Sequence, residues 1–299
     1  MDAVPPQPLL PPPSPTPPPT GRAIVLEPLV TRVLAPNASA YTYTGTQTHL
    51  VGTTDLAIID PGPADAEHHA ALMRVVAGRR VGAIVVTHHH RDHSPGARRL
   101  AQETGAPIVG AAPFGPDDDG PRADAAFDHD YAPDRVLAEG ECVRGDGWTL
   151  EAIATPGHTS NHLSFALREM KALFSGDHVM GWATSVVSPP DGDMGDYMAS
   201  LEKLLARDDR VYYPGHGPEI ERPQRLVRGM LGHRKQREGQ ILRLLAEEAR
   251  TIPAMVARMY AGLDPRLVGA AGRSVLAHLI DLERRGQVRA DGDRWRAGA

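Results

Sequence analysis

Seven side chains in this sequence could do metal chemistry, and all sit where an apolar run gives way to a turn. The densest stretch is His88-His89-His90-Arg91-Asp92-His93, directly after the apolar run Val81 to Val86. His88 and His90, two apart on an extended backbone, can aim both imidazoles at one metal. Asp92 and His93, at the turn into a helix, point to a second position a few ångströms away. This spacing differs from the helical His-Glu-x-x-His pattern, whose ligands lie one turn apart. Three further candidates follow an apolar run and a glycine: His158 in Pro156-Gly157-His158, Asp177 in Ser175-Gly176-Asp177, and His216 in Pro214-Gly215-His216. A strand end delivers its side chain to one rim of a sheet, and glycine lets the backbone pass close to an ion. Five histidines and two aspartates recurring in this context are a strong signal of a polynuclear site.

The elements that must carry these residues can be read in order. Short β-like runs occur at Ile24 to Leu26, Arg32 to Leu34, Tyr41 to Tyr43, His49 to Val51 and Leu56 to Ile59. An amphipathic helix is expected from about Ala64 to Ala77, with Leu72, Val75 and Val76 inward. A strand over Val81 to Val86, a helix near Ala97 to Thr104 and a strand at Pro107 to Gly110 come next. Ala112 to Tyr131 is rich in Asp, Pro and Gly and reads as a long loop. Strands resume at Val136-Leu137, Trp148 to Ala154, His162 to Leu167 and Ala172 to Ser175. A helix from about Asp196 to Ala206 and a strand at Val211 to Tyr213 close this part. From Pro223 the pattern is helical, ending in Val275 to Arg285 and a β-hairpin turning at Asp291-Gly292. Helices followed by a terminal hairpin predict a small winged helix-turn-helix-like module.

With these motifs in place, the sequence resembles the metallo-β-lactamase superfamily, whose ordered motifs run from Asp60 to His216. The motif order and the helical, winged tail look most like the beta-lactamase-like-2 endoribonuclease subgroup. The resemblance covers nearly everything from Arg22 onward, including Asp193 to Leu201 and His233-Arg234-Lys235-Gln236-Arg237. It implies an α/β fold, an αββα sandwich with the site at one edge, and a small C-terminal winged-helix domain. By the same resemblance His88, His90 and His158 would hold one Zn2+, and Asp92, His93 and His216 a second, with Asp177 bridging. Mn2+ or Fe2+ would be admissible at one position. Imidazole suits zinc, and a carboxylate can give one oxygen to each of two cations. Two metals about 3.5–4 Å apart can share a hydroxide nucleophile. Asp60 resembles the aspartate that orients a ligand histidine. His162 would reach the substrate or support the ligands. Asp92, Asp177 and His162 are the residues assigned to catalysis. True β-lactamases of the superfamily lack a bridging aspartate at the position of Asp177, which argues against that activity. Only about forty residues separate Asp177 from His216, which leaves no room for the inserted domain of other ribonucleases.

Composition narrows the class further. With 299 residues, 41% hydrophobic and 23% charged, the chain is long enough for one large domain or for a main domain plus a small one. The boundaries expected are a Pro-rich tail at 1–21, a catalytic domain at 22–222 and a helical, winged module at 223–299. The single cysteine, Cys142, excludes an intrachain disulfide and reads as a small buried residue. No apolar run approaches the roughly 20 residues that span a bilayer, and no secretory signal is evident. Cytoplasmic localisation and no membrane partner are therefore expected, and a homo-oligomer is compatible with the sequence. Residues 222–299 hold 16 Lys+Arg against 8 Asp+Glu, while the remainder holds 16 against 29. A basic tail on an acidic body suggests docking, polyanion binding, or both. The basic tail, together with the resemblance to the endoribonuclease subgroup, makes a single-stranded RNA phosphodiester the first substrate expectation. The alternative is a small-molecule thioester, ester or lactone, as in glyoxalase II-like relatives. An aromatic content of 5% leaves few platforms for stacking bases.

Overall fold

The computed structural model describes residues 17–113, 115, 127–263 and 265–298. Two sheets stack face to face. The first has seven strands in sequence order: β1 (Ala23–Glu27), β2 (Val30–Leu34), β3 (Gln47–Val51), β4 (Asp55–Ile59), β5 (Arg80–Val86), β6 (Ile108–Gly110) and β7 (Arg135–Val136). The second runs β12-β11-β10-β9-β8 and is built from β8 (Cys142–Gly145), β9 (Trp148–Ala154), β10 (Leu163–Leu167), β11 (Ala172–Gly176) and β12 (Val211–Pro214). β5 is paired in parallel on both sides, by β4 and β6, which is why it reads as an unbroken apolar run.

The shared core lies between the sheets. Val51, Ile59 and Val85 of the first meet Trp148, Leu150, Phe165 and Phe174 of the second. Helices α1 (Ala66–Val76) and α2 (Gly96–Thr104) cover the outer face of the first sheet. Helices α3 (Met194–Leu205) and α4 (Pro223–Glu247) cover the second. This is the expected αββα layering. α4 is long enough to leave the sandwich: Met230 and Leu231 pack on α3, whereas Ile241 and Leu245 enter a separate core. That core unites α5 (Ile252–Met259), α6 (Val268–Arg284) and a three-stranded sheet of β13 (Arg250–Thr251), β14 (Val288–Asp291) and β15 (Arg294–Ala297). The predicted winged module is therefore present, with the hairpin turning at Asp291-Gly292.

Several expectations need correction. Tyr41 to Tyr43 is a turn, not a strand, because Ser39 Oγ accepts the backbone N–H groups of Tyr41 and Thr42 at 3.1 Å each. Such local bonds compete with a strand ladder. β8 was not anticipated from the polar Cys142 to Gly145. Cys142 is half-buried rather than buried. Val75 faces only partly inward, and Ala71, Leu72 and Val76 carry the buried face of α1. Thr20, expected in the tail, makes a bridge with Leu34. Residues 1–16 of the expected tail, and 114 and 116–126 of the expected long loop, lie outside the described residues. No described helix is long and apolar enough to cross a membrane.

Candidate metal centre

All seven candidates meet along one edge of the stacked sheets. His88, His90, Asp92 and His93 follow β5 in the first sheet. His158 follows β9, Asp177 follows β11 and His216 follows β12, all in the second. Their ligand atoms form two groups. His88, His90 and His158 make one, and Asp92, His93, Asp177 and His216 make the other. Two glycines allow the close approach. Gly157 has φ 131°, and a Cβ there would strike the backbone of Tyr197. Gly176 has φ 48°, and a Cβ would come within 2.6 Å of His162 Nε2.

In the first group His88 Nε2 lies 3.0 Å from His90 Nδ1, and His158 Nε2 lies 3.2 Å from the same atom. The opposite nitrogens are engaged elsewhere. His158 Nδ1 donates to the Val186 carbonyl at 2.6 Å. His88 Nδ1 donates to Thr87 Oγ1 at 2.9 Å, because that hydroxyl gives its own proton to Asp60 Oδ2 at 2.8 Å. The inward nitrogens of His88 and His158 therefore carry lone pairs, and both face Nδ1 of His90. Burial lowers His88 and His90 well below the usual histidine range, aided by the neighbouring imidazoles, so both rings are neutral. Three imidazoles converging in this way are placed to hold a cation.

The second group is richer in charge. His93 Nδ1 donates to Asp60 Oδ2 at 2.9 Å, and His216 Nδ1 faces the Gly45 carbonyl at 3.2 Å. Their Nε2 atoms lie 3.3 Å apart, and Asp92 Oδ2 sits 3.3 Å from the first and 3.0 Å from the second. Asp177 spans the groups: Oδ1 lies 3.4 Å from both His93 and His216, and Oδ2 lies 3.6 Å from His158 Nε2. Oδ1 is buried and has no hydrogen-bond partner among the described residues. Burial opposes ionisation of Asp92 and Asp177, yet His93 and His216 hold both well below the usual carboxylate range. Burial would likewise lower His93 and His216. Asp92, Asp177 and Asp60 instead raise His93 well above its usual value, and Asp177 and Asp92 push His216 up to about 10. A buried and a half-buried carboxylate thus face two buried imidazoles, and imidazole with carboxylate is a donor set that zinc accepts.

Asp60 is the hub of the supporting layer. Its carboxylate accepts from His93 directly and from both the N–H and hydroxyl of Thr87, at 2.8 Å each. It does so from a left-handed backbone, φ 49°, a strain found where geometry is imposed by function. Thr87, which relays Asp60 to His88, was missed in the sequence, as were the carbonyls of Gly45 and Val186. Backbone acceptors leave no trace in residue identity. His162 is buried, accepts the Asp177 N–H on Nε2 at 3.1 Å and engages Thr155 through Nδ1 at 2.9 Å. Its polar contacts are thus with the peptide N–H of Asp177 and with Thr155. His89 is buried against Phe127 with ring centroids 4.9 Å apart, and His178 packs on Tyr197 at 4.7 Å.

The metallo-beta-lactamase superfamily model matches residues 42–216, and a beta-lactamase associated winged helix domain matches 251–295. The chain belongs to the metallo-β-lactamase superfamily. Members of this superfamily are hydrolases, and the chain is one of them, with a His/Asp cluster placed for metal. A Beta-lactamase-like protein 2 homolog from Caenorhabditis elegans is 37% identical over 73% of this chain and 71% of its own length. An atrochrysone carboxyl ACP thioesterase from Aspergillus fumigatus is 32% identical over 76% of this chain and 69% of its own. The crystal structure of a beta-lactamase domain protein from Burkholderia ambifaria has a TM-score of 0.79 at 19% identity, covering 95% of this chain and 96% of that one, which shows the shared fold.

Proposed function

We propose that this superfamily hydrolase holds two zinc ions and cleaves the acyl carbon–sulfur or carbon–oxygen bond of a small-molecule thioester or ester, releasing a carboxylic acid and a thiol or alcohol. His88, His90 and His158 would hold one ion, Asp92, His93 and His216 the other, and Asp177 would bridge. Two zinc ions held there supply Lewis acidity towards a carbonyl oxygen and bring the pKa of water towards neutrality. Asp60, Thr87, Gly45 and Val186 keep the ligand nitrogens aimed inward, and His162 fixes the peptide that carries Asp177. Asp92 is the most exposed of the seven, with 24% of its side chain accessible, against 9% for Asp177. It is the group through which a proton released in the site reaches solvent.

The observation that carries the choice of substrate is the fate of the tail's arginines. Arg284 pairs with Asp193 of the catalytic body, and Arg285 with Glu238 and Asp281 at 2.6 and 2.8 Å. These cations dock and brace the module instead of presenting themselves to phosphate, and the body they serve is acidic. The similarity to an ACP thioesterase supports the same choice. RNA cleavage is a second reading, favoured by Arg289 and Arg294, which stay exposed on the wing. The test is to incubate zinc-loaded protein with S-lactoylglutathione, acyl-CoA thioesters and single-stranded RNA in parallel. Thioester hydrolysis that disappears in Asp177→Ala is expected. Asp177-dependent cleavage of RNA with no turnover of any thioester would overturn the proposal.

A further inference from the structure

Arg234 lies on α4, in the His233-Arg234-Lys235-Gln236-Arg237 stretch that the catalytic reading leaves unused. It is 3% exposed. Its guanidinium stacks over the Tyr197 ring, 5.1 Å from the centroid, and Nη1 lies 3.5 Å from Ser274 Oγ of α6. Nη2 donates to the Ser185 carbonyl, and Nε has no partner among the described residues. A buried cation with so few acceptors is a poor way to join two domains, because the guanidinium loses its hydration without full replacement. An apolar side chain of that length would pack as well.

The carbonyl it grips explains its presence. Ser185 lies in the segment between β11 and α3, which has no helix or strand of its own over 179–193. Ser185 Oγ donates to the His178 carbonyl at 2.8 Å, and Tyr197 Oη donates to that carbonyl at 3.1 Å. The adjacent carbonyl, Val186, accepts the His158 Nδ1 proton that leaves Nε2 free for a metal. The anchors of His88 and His93 converge on Asp60, held between two sheet strands. The anchor of His158 hangs on an irregular segment fixed from the C-terminal helices.

We propose that Arg234 is a positioning residue: through Ser185 it holds the Val186 carbonyl that orients His158, so the C-terminal module sets the affinity of the three-histidine half of the centre. The inference rests on the two-metal reading of the site. The test is a zinc titration of the apoprotein against a chromophoric chelator, with His158→Ala marking which equivalent belongs to the three-histidine group. Arg234→Met should weaken that equivalent roughly 10- to 100-fold, the usual consequence of losing a partner behind a ligand. The other equivalent should keep its affinity, and Arg234→Lys, which retains a donor, should recover most of the loss. Should Arg234→Met not fold, Ser185→Ala removes the neighbouring anchor with the arginine in place and carries the same one-sided expectation. Loss of both equivalents together, or of neither, would overturn the role. Wild-type protein that fails to bind two equivalents would instead remove the metal-centre reading itself.

Discussion

Two kinds of buried histidine lie within one chain, and they are held in opposite ways. In the metal centre, His88, His93, His158 and His216 each have one nitrogen facing a protein acceptor and the other turned to a shared point. His178, 5.9 Å from the His162 ring, and His278 on α6 are just as buried, yet neither nitrogen of either ring has a partner among the described residues. Burial lowers both to about 3, helped at His178 by His158 and Arg234 and at His278 by Arg234 and His233. Burial of imidazole is therefore not the mark of a ligand. The mark is a ring anchored behind and convergent in front.

The largest test of that contrast is Asp177→Ala. Removing the carboxylate that touches both groups should lower turnover by more than about a thousandfold, equivalent to roughly 4 kcal/mol of lost transition-state stabilisation. Metal analysis should show fewer than two equivalents, while circular dichroism stays native because the apolar core lies between the sheets. An unchanged metal content would break the distinction between the two kinds of histidine. Asp60→Asn comes next. It weakens the anchoring of His93 and of the Thr87–His88 relay together, and a loss of roughly 10- to 100-fold in metal affinity is expected, read by chelator competition.

The smallest effect is expected from His278→Leu, which removes an unpartnered polar ring. Metal content should be unaltered and stability at pH 7 should change by no more than about 1 kcal/mol. Its signature is in acid. The folded ring, lowered to about 3, stays neutral below pH 6.5 while the unfolded ring takes up a proton. The unfolded state then binds more protons, so stability falls as pH drops from 6.5 towards 3. His278→Leu should reduce that slope by one proton in urea titrations across this window. An unchanged slope would show that His278 is not held neutral by the fold.

The two kinds were not equally legible. The metal ligands could be read because each stands at the end of an apolar run, where a strand must stop and a side chain must face the rim. His178 could be set aside because, next to Asp177, it must point the other way along the chain, but nothing in the helical pattern around His278 foretold that its ring is buried without a partner. Individual elements were readable from periodicity, including α1, α3 and the hairpin at Asp291-Gly292, whereas their layering followed from the family resemblance. β8 escaped because a polar strand ended by Asp146-Gly147 resembles a loop, and β13 because two residues carry no period. Tyr41 to Tyr43 misled through its composition: its β-favouring side chains are overridden by the Ser39 hydroxyl. The role of Arg234 was invisible, since it acts through carbonyls.

The ligands come from both sheets, and this orders events during synthesis. His88, His90, Asp92 and His93 emerge together, but the centre is incomplete until His158, Asp177 and finally His216 have followed and the second sheet has stacked on the first. A nascent chain can offer only a partial, weak chelate. On the two-metal proposal, high-affinity capture would wait until the sandwich closes, and the choice of metal would fall to the finished fold and not to whichever ion reaches the growing chain first.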